Sequence, residues 1–91
     1  MDAYGTAKNE LGDVYVLLSF SQLTGVTSAK IQYSTDKQTW QDAELDSPIT
    51  STTDQVNAKL PSFASGTYYF RMIVDGGQRA GVSNITSKDI E

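Results

Sequence analysis

The chain contains no cysteine and no histidine. Their absence removes disulfides, thiolate zinc sites, histidine metal ligands and the usual nucleophile–base pairs together. It leaves the redox compartment open, because a chain without cysteine tolerates any. Basic residues are few: seven Lys and Arg stand against eleven Asp and Glu, for a net charge of −4. That balance repels phosphate backbones, and the basic residues do not cluster around the aromatic ones, so nucleic acid is not an expected partner. Long apolar runs are missing too, all falling short of the ~20 residues needed to span a bilayer, and no membrane insertion is expected. The opening MDAYGTAKNE has no basic-then-apolar stretch and does not read as a signal peptide. Any export signal would belong to a longer parent chain. Helical periodicity is absent over any useful length.

What remains is a chain of strands. Ninety-one residues with a 38% apolar share make one domain. A chain of this size buries roughly 60–68% of the surface its unfolded form exposes, enough for one modest core. VYVLLSF puts Val16, Leu18 and Phe20 on one face and Tyr15, Leu17 and Ser19 on the other. AKIQYS alternates with Ala29, Ile31 and Tyr33 inward and Lys30, Gln32 and Ser34 outward. STDKQT turns the chain, with Asp36 a natural turn residue, and WQDAEL follows as one short strand. DQVNAKL places Val56, Ala58 and Leu60 together. TYYFRMIV, residues 67 to 74, is the strongest strand. AGVSNITSKDI is a weaker last one, and the opposite parity of Val82 and Ile85 suggests a bulge between them. DSPITSTTD is the one long connector, a loop or a poor edge strand. About seven short strands, with turn signals every 8–12 residues or so, indicate an all-β, antiparallel β-sandwich.

The stretch GTYYFRMIVDGGQRAGVSN resembles the F strand, F–G loop and G strand of a fibronectin type III domain of the kind found in bacterial surface and phage structural proteins. YSTDKQTW resembles the C-to-C′ hairpin of that group. VYVLLSF resembles its B strand, with Phe20 where a tryptophan usually sits. The resemblance runs from Val14 to Asn84. The N-terminus departs from it, lacking a proline-led A strand. In such domains the tyrosine that opens strand F packs at a corner and bonds back to backbone. Tyr68 is the match and Tyr69 the competing register. With Tyr68 inward, Phe70, Met72 and Val74 are inward too, and Tyr69, Arg71 and Ile73 face out.

Several motifs invite sharper readings. DGGQRAGVS approaches a phosphate-binding loop, but Val82 stands where the lysine would be, and VSNITS does not read as a helix whose amides could face a phosphate. Gly76 and Gly77 more simply supply positive φ for a turn. Arg79-Ala80-Gly81 is not the Arg-Gly-Asp of integrin-binding relatives. Asp42, Glu44 and Asp46 alternate, so an extended strand would hold neighbours roughly 6.5–7 Å apart on one face. That is near the carboxylate spacing of inverting glycosidases, and equally that of a solvated edge strand. A sandwich this small seldom has a sugar cleft, and no calcium loop is present. Asn84-Ile85-Thr86 is a glycosylation sequon, relevant only to a eukaryotic secreted protein. Trp40, the one tryptophan, shares the acidic face by strict alternation. A turn that breaks the parity would instead pack it on the sandwich rim, and the usual burial of large aromatics favours the rim.

The expectation is a non-catalytic module without cofactor or metal. The resemblance implies a spacer, decoration or docking domain of a larger phage virion or bacterial surface protein, extracellular or on a virion. As an isolated domain it is expected to be monomeric. The candidate partner-binding face comprises Trp40, Tyr69, Arg71 and Ile73, with Asp42 and Glu44 as an acidic margin. It would take a neighbouring protein subunit or a surface glycan. The alternative is a carbohydrate-binding accessory module of an extracellular glycosidase or adhesin. There Trp40 and Tyr69 would stack on sugars, and Asp42 and Glu44 would accept hydrogen bonds.

Overall fold

The computed structural model describes residues 1–60 and 65–90. Among them there is no helix, hence none long and apolar enough to cross a membrane. The strands are β1 (Asp2–Lys8), β2 (Val14–Ser19), β3 (Ser28–Ser34), β4 (Gln41–Asp42), β5 (Glu44–Leu45), β6 (Gln55–Leu60), β7 (Gly66–Asp75), β8 (Gly81–Val82) and β9 (Thr86–Ile90). They form two antiparallel sheets. One has the order β1-β2-β6-β5; the other runs β4-β3-β7-β8, with β9 also paired to β7. The alternation in the sequence explains how the two sheets close on each other. Val14, Val16 and Leu18 of β2 and Val56, Ala58 and Leu60 of β6 are buried from one side. Ile31 of β3 and Tyr68, Phe70, Met72 and Val74 of β7 meet them from the other. The inward register of β7 is therefore the one expected with Tyr68 inside.

Two of the expected strands are divided, so about seven become nine. WQDAEL does not form one strand. Asp42 still pairs with Gln32 of β3, but the Ala43 amide then bonds to the Ile31 carbonyl at 2.8 Å. Glu44 has already crossed to the opposite sheet, where it pairs with Lys59. The last strand is divided by the bulge its parity implied. Three steps back along β7, from Ile73 to Phe70, correspond to four steps forward, from Val82 to Thr86. The extra residue is accommodated where the Ser83 hydroxyl accepts the Met72 amide and the Ser83 amide donates to the Met72 carbonyl. DSPITSTTD is a loop, closed by Thr50 and Thr53 bonding each other's backbone. The N-terminal residues form a full strand, with a second register shift between Ala3 and Gly5.

The glycine-rich stretch after β7 is a turn that interlocks with the β2–β3 loop. Gly76 and Gly77 have φ of 78° and 86°. The Thr27 amide donates to the Asp75 carbonyl and the Gln78 amide to the Thr24 carbonyl. A side chain on Gly77 would lie 2.5 Å from the Thr24 carbonyl oxygen and 2.7 Å from the Gly25 carbonyl carbon. The loop leads into β8, not a helix. Gly12 has a similar φ of 84° but open space around it. The two sites therefore separate backbone strain from collision. Gly12→Ala is expected to cost about 1 kcal/mol, the ordinary penalty at positive φ. Gly77→Ala is expected to cost clearly more, read as the larger fall in urea midpoint.

Candidate functional site

The outer face of the five-stranded sheet carries the side chains that the core does not need. Register decides its members. Gln32 lies opposite both Arg71 and Asp42, Lys30 opposite Ile73, Ser34 opposite Tyr69, and Val82 opposite Ile73 from the other side. Partners in an antiparallel pair share a face. Because Met72 and Val74 are buried, Arg71, Ile73 and the residues opposite them point outward.

A hairpin turn sets one margin of this face. Asp36 accepts the amides of Gln38 and Thr39, both at 2.9 Å, and the Ser34 hydroxyl at 2.8 Å. Those bonds, the Thr39 and Gln38 amides foremost, hold the Asp36 carboxyl down to about 2. Ser34 has the outward parity read from the sequence, yet it is buried, because the turn wraps its hydroxyl with the amides of Asp36 and Lys37. Lys37 at the tip has φ of 64°, a conformation few side-chain-bearing residues adopt. Its ammonium rests 4.8 Å from the centre of the Tyr69 ring.

Beyond the turn, Trp40 lies against the sheet with the Arg71 guanidinium 4.3 Å above its ring. Trp40 is thus on the outer face, and the rim packing favoured by its size does not occur. Arg71, rather than the core, supplies its cover. Arg71 Nε also donates to Gln32 Oε1 at 2.9 Å, and Gln32 Nε2 donates to Asp42 Oδ1 at 3.0 Å. Lys30 Nζ is 3.4 Å from the same carboxylate. Asp42 is held below the usual carboxylate range, first by the Gln32 amide and secondarily by the Lys30 charge, against a small burial effect. Arginine, amide, carboxylate and lysine therefore form one chain of contacts across three strands.

Five of the expected residues come together on this face: Trp40, Asp42, Tyr69, Arg71 and Ile73. Glu44 does not. The crossing at Ala43 carries it to the other sheet, where its carboxylate is 3.9 Å from Lys59 Nζ. Asp46 accepts the Asn57 amide and side chain. The three acidic residues that alternate in sequence thus diverge and form neither a carboxylate pair nor a cation cage. Among the described residues no group of three or more acidic side chains could hold a metal ion. Besides Lys30, four members of the face were not singled out in the sequence. Gln32 was legible as outward but not as a bridge. Lys37 depends on the turn. Val82 and Ile85, 61% and 46% exposed, enlarge the apolar part. Their opposite parity, taken with the bulge, is the signal that both belong to the same side.

The face is shallow and its polar groups satisfy one another. No family model, curated protein or solved structure matches this chain.

The Asp36 turn yields a pH dependence. Its folded value is depressed, so its contribution is present above the unfolded value of about 4 and lost as the pH falls toward 2. Asp36→Asn keeps an acceptor but not the charge. The stability difference between wild type and Asp36→Asn, from urea titrations, should be constant above about pH 5 and shrink between about pH 4 and 2. A gap that stays constant down to pH 2 would contradict the assigned role.

Proposed function

We propose that this chain is a non-catalytic, fibronectin type III-like module of a larger phage virion or bacterial surface protein. In this reading it docks on a neighbouring protein subunit through the outer face of the β4-β3-β7-β8/β9 sheet. The fold supports the family part. In immunoglobulin-like sandwiches strands A, B, E and D share one sheet and C, F and G the other. The two sheet orders follow that plan when β1, β2, β6 and β5 are taken as A, B, E and D, and β3, β7 and β8/β9 as C, F and G. Of the stretches that carry the resemblance, VYVLLSF falls on β2 and the other two on β3–β4 and β7–β8, both hairpins of adjacent strands.

The observation that carries the docking part is the Trp40–Arg71 stack, flanked by Tyr69, Ile73, Val82 and Ile85. Aromatic and arginine side chains with a polar margin are the composition of an interface centre. The same stack argues against a sugar platform. Arg71 covers one face of the Trp40 ring and Lys37 approaches the Tyr69 ring, so neither aromatic offers a free plane next to the other. Protein is therefore favoured over glycan as the partner.

The test is the double variant Tyr69→Ala, Ile73→Ser. Both side chains are only partly buried and lie outside the core. The variant should keep its unfolding free energy to within about 1 kcal/mol, yet lose attachment to the parent particle. Wild type should leave a glycan array unlabelled. A variant that folds and still attaches would refute the docking face. Sugar binding by wild type, abolished in Trp40→Ala, would replace the protein partner with a glycan.

A further inference from the structure

The two ends of the sandwich carry features that fit one another. At one end the β1–β2 turn presents Leu11, 87% exposed. A lone exposed leucine is ordinary. What distinguishes this one is the turn beneath it. Asn9 Oδ1 accepts the amides of Leu11 and Asp13, and Asn9 Nδ2 donates to Asp13 Oδ2, each at 3.0 Å. The Asn9 amide donates to the Asp13 carbonyl and the Gly12 amide to the Asn9 carbonyl. Gly12 supplies a φ of 84°. The leucine is thus held out on a prearranged support, which lowers the entropy lost when it is buried in a contact.

At the other end lies an open cavity of about 220 Å³. Phe20, Leu23, Met72 and Val74 form its apolar wall, and Arg79 and Ser83 stand among its polar lining. An apolar cavity of roughly 150 Å³ holds a benzene molecule, so this one has room for a leucine side chain. The knob and the cavity cannot meet within one molecule. Leu11 lies beyond the Val14 end of β2, and Phe20 follows its Ser19 end, about 20 Å away at the strand rise. The turn and the cavity lie at opposite ends of β2, so copies stacked along the strand direction would bring knob to cavity.

Charge agrees with this arrangement. Glu10 is exposed beside Leu11, and Arg79 is exposed beside the cavity. Neither forms an ion pair among the described residues. In a chain of net charge −4, copies repel one another in general. A local Glu10–Arg79 pairing selects the one orientation in which opposite charges meet.

We infer that this chain stacks head to tail on a second copy of itself, with Leu11 of one copy seated in the Phe20–Leu23–Met72–Val74 cavity of the next and Glu10 facing Arg79. The contact uses different surfaces on the two copies, so each added copy leaves a knob and a cavity free until a ring closes or a row grows. One leucine and one ion pair make a small interface, well below the standard size, and the contact is weak. Dilute chain is accordingly monomeric, and stacking appears when copies are concentrated or held in a row. The cavity shares Val82 with the outer sheet face but includes neither Tyr69 nor Ile73, so variants at those two residues separate this contact from the proposed docking.

Sedimentation equilibrium of the isolated chain tests it, from low-micromolar to about millimolar concentration, the range in which so small an interface associates. Wild type should show a weight-average mass that rises with concentration. Leu11→Ser should stay monomeric throughout with an unchanged thermal midpoint, since Leu11 packs against nothing in its own chain. Arg79→Glu should weaken association at least about fivefold, and Glu10→Arg with Arg79→Glu should restore it. Tyr69→Ala, Ile73→Ser should associate like wild type. A wild type monomeric at every concentration overturns the inference. So does a Leu11→Ser variant that associates normally, or association lost only in the Tyr69, Ile73 variant, which would place the contact on the sheet face.

Discussion

The pairing of β3 with β7 is the constraint on which the rest of the molecule depends. Seven residues of each strand are in register, from Ser28 opposite Asp75 to Ser34 opposite Tyr69. Side chains alternate with a period of two, so a slip of one residue would send Phe70 and Met72 to water and Arg71 to the core. The register is held because one face has no alternative. Ile31 and Phe70 are fully buried, and no polar set could take their place against β2 and β6. Once that face is fixed, the other follows without further choice. Gln32 is brought between Arg71 and Asp42, and Ile73 between Lys30 and Val82. The arrangement of the outer face is a by-product of core packing, positioned by it and not itself needed for it.

Local sequence adds what the register cannot. The Ser34–Thr39 turn is organised by one carboxylate, and it decides where Lys37 and Trp40 arrive. The single amide bond from Ala43 to Ile31 decides where the chain leaves one sheet for the other. These two small features define the margins of the outer face. One brings the tryptophan in; the other takes Glu44 away.

This division explains how much was legible beforehand. Strands β2, β6 and β7 carry an apolar residue at every second, buried position, so their inward faces follow from period alone. The outward members of β7 follow from the same alternation, which is why Tyr69, Arg71 and Ile73 could be named. For Trp40 alternation and burial preference disagreed, because burial preference treats a tryptophan as core and has no knowledge of Arg71, which only the pairing of β3 with β7 brings beside it. Glu44 was misplaced because strict alternation assumes a continuous strand, and nothing in Asp42-Ala43-Glu44 announces a change of sheet. Val82 and Ile85 lay between these cases. Their parity showed the bulge, but its consequence, two apolar residues on one side, needed the partner strand.

The central claim is that the outer face is assembled by contacts within this chain alone, with Arg71 as its keystone over Trp40 and beside Gln32. The single tryptophan makes that claim measurable. Acrylamide quenching of Trp40 fluorescence should be partial in the wild type. In Arg71→Ala it should approach that of a freely exposed indole, while the unfolding free energy from urea falls by no more than about 2.5 kcal/mol, the upper sum for an exposed cation–π contact and one hydrogen bond. Unchanged quenching in Arg71→Ala would contradict the account, because Trp40 would then owe its shelter to the core and not to the face.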